Sequence, residues 1–150
     1  MRPILPTLAL MTCLATPAPA WELYRLTDDY AATGNTAGEY VVNISCVRDR
    51  GTLYLSIAPF GMDRSAVDGL TKVSMQITLP DGRSEQVEVA LTPERDSFDG
   101  PFPVRADWLA AFKDGREMRV SRTDTGLELF RSDMKGTGAA RLLFAERCGI

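Results

Sequence analysis

The stretch YVVNISC, residues 40–46, alternates between side chains of two faces over its whole length. Its first face carries Tyr40, Val42, Ile44 and Cys46. A period of two, in a segment rich in β-branched residues, predicts a half-buried strand. We therefore expect Cys46 to point into the core, and Asn43 and Ser45 to point away from it.

The same alternation continues on the C-terminal side of this strand. Residues 47–51 are polar and predict a turn, and residues 52–58 predict the second strand of a hairpin. A second hairpin is predicted around the PDGR turn at residues 80–83, where proline and glycine suit the turn positions. The remaining predicted strands cover residues 71–79, 84–91, 117–122 and 127–130, and Phe98 and Phe102 anchor a short strand or ordered loop.

Two segments have helical spacing. Residues 105–113 place Trp108 and Phe112 four residues apart, and Gly115 follows the last turn. Residues 137–148 predict a terminal helix, with Thr137 as its cap and Gly149 at its end. Its apolar stripe comprises Ala139, Ala140, Leu142, Leu143, Phe144 and Cys148.

These elements predict a mainly β domain, either an antiparallel sandwich or a curved sheet, with a short internal helix and a C-terminal helix tied by a disulfide. Trp21 is expected to pack onto the sheet and to fix the first strand. The small polar residues 34–38 predict an exposed loop between two strands.

The first 20 residues are typical of an export signal. Arg2 precedes a short apolar run, and Ala18-Pro19-Ala20 forms an A-x-A cleavage site. A lipidated Cys13 is the weaker alternative, because Thr12 is unusual before a lipidated cysteine. We therefore expect a signal peptide at residues 1–20 and one exported, periplasmic domain at residues 21–150, without a membrane span.

Export determines the expected state of the other cysteines. In an oxidising compartment, Cys46 and Cys148 are expected to form an intramolecular disulfide. A free thiol pair and an intermolecular bridge remain alternatives. A core-facing strand cysteine and a core-facing helix cysteine are suitable partners.

The amino-acid composition argues against several classes of catalytic and binding site. The chain has no histidine, which excludes histidine-dependent triads and removes the commonest transition-metal ligand. A formal net charge of −3 and the lack of a basic block argue against nucleic-acid binding. Two acidic clusters, Asp28-Asp29 and the group Glu94, Asp96 and Asp99, are interpreted as solvated loops. No catalytic residue, cofactor or metal is predicted.

Aromatic residues provide the predicted contact surface, because such residues anchor protein interfaces. Trp21, Tyr24, Tyr30 and Phe60 are the candidates for a shared recognition surface. Of these, we expect Tyr30 and the loop Pro59-Phe60-Gly61 to contribute most directly to contact with a partner.

Several features occur in a familiar order. A tryptophan near the start precedes the strand ending in Cys46, and Trp108-Leu109 leads to Met118-Arg119-Val120 and a helix ending at Cys148. This order resembles the periplasmic, type VI secretion-associated TagO or VasI-like family. The resemblance implies an accessory component that works by protein contact, with Cys46 and Cys148 as a structural pair.

Together, these features predict a non-catalytic periplasmic accessory protein that contacts an envelope protein, in association with a secretion system. One alternative is an inhibitor of an envelope-directed enzyme such as a lysozyme. Another is a hydrolase that uses the acidic clusters.

The cleavage site is directly testable. We expect N-terminal sequencing of the protein recovered from the periplasm to begin at Trp21, because signal peptidase cleaves after the A-x-A motif. A lipid-modified N-terminus at Cys13 would contradict this prediction.

Overall fold

The computed structural model describes residues 20–61 and 63–150. The predicted signal peptide, except Ala20, lies outside the described residues. The strands are β1 (Glu22–Thr27), β2 (Tyr30–Ala37), β3 (Tyr40–Val47), β4 (Thr52–Pro59), β5 (Lys72–Thr78), β6 (Ser84–Ala90), β7 (Thr92–Pro93), β8 (Phe98–Pro103), β9 (Glu117–Arg122) and β10 (Glu128–Asp133). The α-helices are α1 (Ala106–Asp114) and α2 (Thr137–Cys148), and a short 3₁₀ turn covers Ser65–Val67.

The strands form two antiparallel sheets, so the predicted fold class is confirmed. The six-stranded sheet has the order β1-β2-β3-β4-β8-β7, and the four-stranded sheet has the order β10-β9-β5-β6. The inner faces carry fully buried residues such as Ile44, Leu55, Met75 and Val120. These residues belong to one apolar core between the sheets, as the alternating sequence predicted.

An aromatic cluster fills the part of the core that the helices cover. Phe112 of α1 stacks on Trp108 of the same helix and on Phe144 of α2, with ring centroids 5.2 and 6.0 Å apart. Trp21 packs edge-on against Phe112 and Phe130, at 5.8 and 6.2 Å. The cluster therefore joins the start of the chain to both helices and to the four-stranded sheet.

Trp21 is held by hydrogen bonds as well as by its ring. Its backbone N–H donates to the Lys135 carbonyl oxygen at 2.8 Å, and its indole Nε1 donates to the Asp133 carbonyl oxygen at 3.0 Å. The side chain is 3% exposed. These contacts attach the chain before β1 to the end of β10 and to the residue two positions after it, so they connect the two sheets at one edge.

The disulfide between Cys46 and Cys148 is present, with a Cα–Cα distance of 6.1 Å. It joins the inner side of β3 to the last residue of α2, and both cysteines are buried. The exposed Asp28-Asp29 turn lies beside this attachment, where Arg147 binds the Asp28 carboxylate at 2.6 Å and Arg48 binds that of Asp29 at 2.8 Å.

Two details of the predicted terminal helix are wrong. Gly136, not Thr137, caps the helix, and the Thr137 hydroxyl donates to the Met134 carbonyl oxygen at 2.7 Å. Leu142 is 70% exposed, and Ala139 is also exposed, because the buried stripe is narrower than the sequence indicated. The predicted end at Gly149 is confirmed, in a left-handed conformation.

The predicted exposed loop at residues 34–38 is also wrong. Gly34 to Ala37 continue β2, which pairs with β3 along its full length, and only Gly38 lies in the turn. These small polar residues belong to a strand because their backbone pairs with β3, and position 34 is glycine because neighbouring side chains cover it. A Cβ at this position would lie 2.0 Å from Asn43 Oδ1 and 3.3 Å from Tyr24 Cε2.

The contribution of the disulfide can be measured by unfolding. Cross-linking residues 102 positions apart restricts the unfolded chain. The chain-entropy model gives about 4.7 kcal/mol for a loop of about 100 residues. We therefore expect reductant to lower the denaturant midpoint of the native protein markedly. The double variant Cys46→Ala, Cys148→Ala should be insensitive to reductant. Equal midpoints for the native protein with and without reductant would contradict a stabilising bridge.

The packing of Trp21 against the start of α2 gives a matched pair of variants. Gly136 has φ +97°, and a Cβ there would lie 2.7 Å from the Trp21 carbonyl oxygen. Gly136→Ala should lower the free energy of unfolding by about 1–3 kcal/mol. Gly138 lies in the helix with nothing within 4 Å of an added Cβ, so Gly138→Ala should raise it by about 0.5–1 kcal/mol. Chemical denaturation curves distinguish these results, and equal effects would show that Trp21 does not constrain this turn.

Candidate functional site

The outer faces of the two sheets differ in their chemistry. On β2, β3 and β4, the strand pairing directs four residues of each strand away from the core. None of these positions is charged, although a quarter of the chain is. They are Tyr30, Ala32, Gly34, Thr36, Val41, Asn43, Ser45, Val47, Thr52, Tyr54, Ser56 and Ala58.

We call these twelve residues, together with Tyr24 of β1, the tyrosine face. Cross-strand pairing places Tyr24, Ala32, Ser45 and Tyr54 in one row across four strands. With strands about 4.8 Å apart, the two tyrosines in this row stand about 14 Å apart. Small side chains therefore occupy the centre of the row, and a large exposed ring stands at each end.

The opposite sheet presents a charged outer face. Arg119 Nε lies 2.6 Å from Glu117 Oε1, and Arg131 Nε lies 2.9 Å from Glu128 Oε1. Lys72 and Glu88 add a third pair at 3.5 Å. Exposed pairs of this kind contribute little to stability, typically about 0–1 kcal/mol, but they keep a sheet face hydrated. The contrast singles out the tyrosine face as the unusual surface.

Tyr24 stands at the β1 edge of the tyrosine face, and its ring lies beside Gly34, where an added Cβ would be 3.3 Å from Tyr24 Cε2. Its side chain is 41% exposed, and its hydroxyl donates to Glu22 Oε2 at 3.2 Å. Burial raises the pKa of Tyr24 above its usual value, and the hydrogen bond and the charge of Glu22 raise it further. The phenol therefore stays protonated and neutral in the physiological pH range.

Next to Tyr24, the tyrosine face is shallow and carries a few polar side chains. Gly34 and Ala32 contribute no long side chain, and Asn43 lies over Gly34. Within the described part of the chain, the side chains of Asn43, Ser45 and Ser56 form no hydrogen bonds with protein groups. Their amide and hydroxyl groups are therefore available to a bound molecule.

The structure divides the predicted aromatic surface. Trp21 belongs to the core, whereas Tyr24 and Tyr30 line a common cavity on the tyrosine face. Phe60 is 59% exposed, and its backbone N–H donates to the Glu39 carbonyl oxygen at 3.1 Å. Phe60 follows β4 at the far end of the sheet from Tyr30, so the two do not form one site.

The strand register gives the separation. Pro59 is buried and pairs with Tyr40, whereas Tyr30 pairs with Val47, seven residues along β3. At about 3.4 Å per residue, these two ends lie about 24 Å apart. Gly61 lies beside Glu39, at the same end as Phe60.

The acidic clusters are not brought together. Asp28 and Asp29 pair with arginines near the disulfide. Glu94 and Asp96 lie in the exposed connection between β7 and β8, and Asp99 pairs across the sheet with Ser56. Among residues 20–61 and 63–150, no group of three or more histidine, cysteine or acidic side chains is placed to hold a metal ion.

The carboxyl group of Asp124 has a strongly lowered pKa, and the cause is structural. A hydrogen-bonded Arg122 lowers the pKa of Asp124 to about 2. Arg122 also donates to the Ala66 and Asp68 carbonyl oxygens, at 3.0 and 2.8 Å. The arginine therefore holds the 3₁₀ turn against β9, and nothing in this arrangement resembles an acid–base pair.

The sequence contained a signal for the tyrosine face. The alternation of β3 and β4 already placed Asn43, Ser45 and Tyr54 outward, and none of these residues is charged. Gly34 was missed because the small polar residues at 34–38 predict a loop, and Ala32 because no strand bounds were predicted for residues 21–33. Their position became visible only with the pairing of β2 and β3.

Comparisons of the chain with protein-family models, with curated proteins and with solved structures found no match. The resemblance to the TagO or VasI-like family therefore stays a prediction. In the described residues, no helix is long and apolar enough to cross a membrane.

Proposed function

We propose that this chain is a non-catalytic accessory protein of the bacterial envelope, exported to the periplasm and associated with a secretion system. It works by binding another envelope protein through the tyrosine face. The observation that carries the proposal is the uncharged outer side of three adjacent strands, opposite a sheet covered with ion pairs.

The composition of the tyrosine face supports protein recognition. Centres of protein interfaces are depleted in charged residues and enriched in tyrosine. Antibody paratopes combine tyrosine with serine, glycine and asparagine, because tyrosine supplies rigid contact area and the small polar residues supply adaptable hydrogen bonds. Tyr24, Tyr30, Gly34, Asn43 and Ser45 bring the same residue types together here.

The disulfide supports the proposed compartment. A buried bridge between Cys46 and Cys148 is typical of proteins that fold outside the reducing cytosol. The inhibitor and hydrolase alternatives gain no comparable support, since the tyrosine face has the character of a broad contact surface and the acidic clusters lie apart.

Two lysine variants test the proposal. Ser45 and Ser74 both point outward from a central strand, Ser45 on the tyrosine face and Ser74 on the charged sheet. Ser45→Lys would bring an unpaired charge into the interface, and we expect partner binding to weaken at least about tenfold, or about 1.4 kcal/mol. Ser74→Lys should bind as the native protein does.

The measurement is capture of partners from a periplasmic extract by the immobilised native protein and by each variant, with quantification of the captured proteins. Unfolding midpoints of the two variants confirm that both are folded. Equal capture by Ser45→Lys and Ser74→Lys, or no specific capture by the native protein, would contradict the proposal.

A further inference from the structure

Two cavities lie side by side on the tyrosine face. A cavity of about 120 Å³ is lined by Glu22, Gly34 and Thr36, among others. A second cavity of about 400 Å³ is lined by residues that include Tyr30, Ala32, Asn43, Ser45 and Ser56. Tyr24 and Val41 line both cavities, so together they make one groove that runs along β2 and β3.

The length of the groove follows from the strand beneath it. Thr36 lies at one end and Tyr30 at the other, six residues apart on β2. At about 3.4 Å per residue, the groove is about 20 Å long. An extended polypeptide of about six residues has the same length.

The chemistry of the groove favours an uncharged occupant. Its walls are mainly aromatic rings and methyl groups, from Tyr24, Tyr30, Ala32 and Val41. Along the larger cavity, whose lining carries no charge, a buried acidic or basic side chain would lose hydration without gaining a counter-charge, which is unfavourable. Glu22 lines only the Thr36 end of the groove, where it already accepts a hydrogen bond from the Tyr24 hydroxyl. Asn43, Ser45 and Ser56 offer a small number of hydrogen bonds, which suits a peptide with apolar side chains better than a sugar polymer with several hydroxyls on each unit.

The area of the tyrosine face suits a short peptide segment better than a whole folded domain. Strands β1 to β4 span about 14 Å across, and β3 is about 27 Å long, so the face covers roughly 400 Å². A standard protein interface buries about 800 Å² on each partner. The backbone groups of β2, β3 and β4 are already paired in the sheet, so side chains must provide the recognition.

We propose that the groove of the tyrosine face binds an extended, uncharged segment of about six residues from the partner protein. This inference rests on the proposed function, because it specifies what part of the partner occupies the same face. Tyr24 packs against the segment, and Asn43, Ser45 and Ser56 hydrogen-bond to its backbone or to its neutral polar side chains.

The test is selection of peptides from a random display library on the immobilised native protein, followed by affinity measurements on synthetic copies. We expect selected peptides to be depleted in Asp, Glu, Lys and Arg. Their affinity should change less than about twofold between about 50 and 500 mM salt, since no ion pair is formed. Tyr24→Ala and Ser45→Lys should weaken binding at least about tenfold, and Ser74→Lys less than about twofold.

Several results would overturn the inference. The first is selection of charged peptides whose affinity depends on salt. The second is failure to obtain any peptide that binds Ser74→Lys more tightly than Ser45→Lys. The third is binding of a neutral polysaccharide that the Ser45→Lys substitution abolishes. If partner capture from the extract depends on Ser45 but no peptide binds, the segment inference fails while the proposed function stands. If partner capture does not depend on Ser45 and no peptide binds, both the segment inference and the proposed function are contradicted.

Discussion

The packing of Trp21, Phe112, Phe130 and Phe144 is the interaction on which the rest of the structure depends. These four rings come from the start of the chain, both helices and the four-stranded sheet, and they meet in one cluster. The disulfide between Cys46 and Cys148 adds a covalent link from α2 to the six-stranded sheet. The helices consequently cover the interior, and each sheet presents only its outer face to other molecules.

The two outer faces have different physical roles. Ion pairs such as Arg119 with Glu117 keep one face hydrated and unfavourable for close association. The tyrosine face lacks such charges, and its exposed rings and free polar groups can be desolvated at lower cost. The two sheets belong to one molecule and share the same solvent and overall charge, so the different chemistry of their outer faces supports binding through the tyrosine face.

Local patterns predicted most of the fold. The alternation in residues 40–46 correctly gave the inward Cys46, and the spacing of residues 137–148 gave the helix that carries Cys148 to it. Residues 34–38 were misinterpreted because composition alone does not distinguish a polar loop from a strand whose glycine lies under a neighbouring side chain. The width of the buried helical stripe, and so the exposure of Leu142, depended on packing that the sequence does not show.

The strand register divides the aromatic residues that were predicted to share one contact surface. Tyr30 and Phe60 were grouped by residue type, but the pairing of β2, β3 and β4 places them at opposite ends of the sheet. The same pairing brings Tyr30 near Tyr24, Asn43 and Ser45. Long-range register is a tertiary property, because it is set by strands that are distant in sequence.

Hydroxyl-radical footprinting of the protein, in buffer and after incubation with a periplasmic extract, tests the central claim most directly. Tyr24, Tyr54 and Leu142 are all exposed in the isolated protein, so all three should be modified in buffer. If the tyrosine face binds the partner, the extract should protect Tyr24 and Tyr54 and leave Leu142 reactive. Unchanged modification of both tyrosines, or protection of Leu142 alone, would contradict the account.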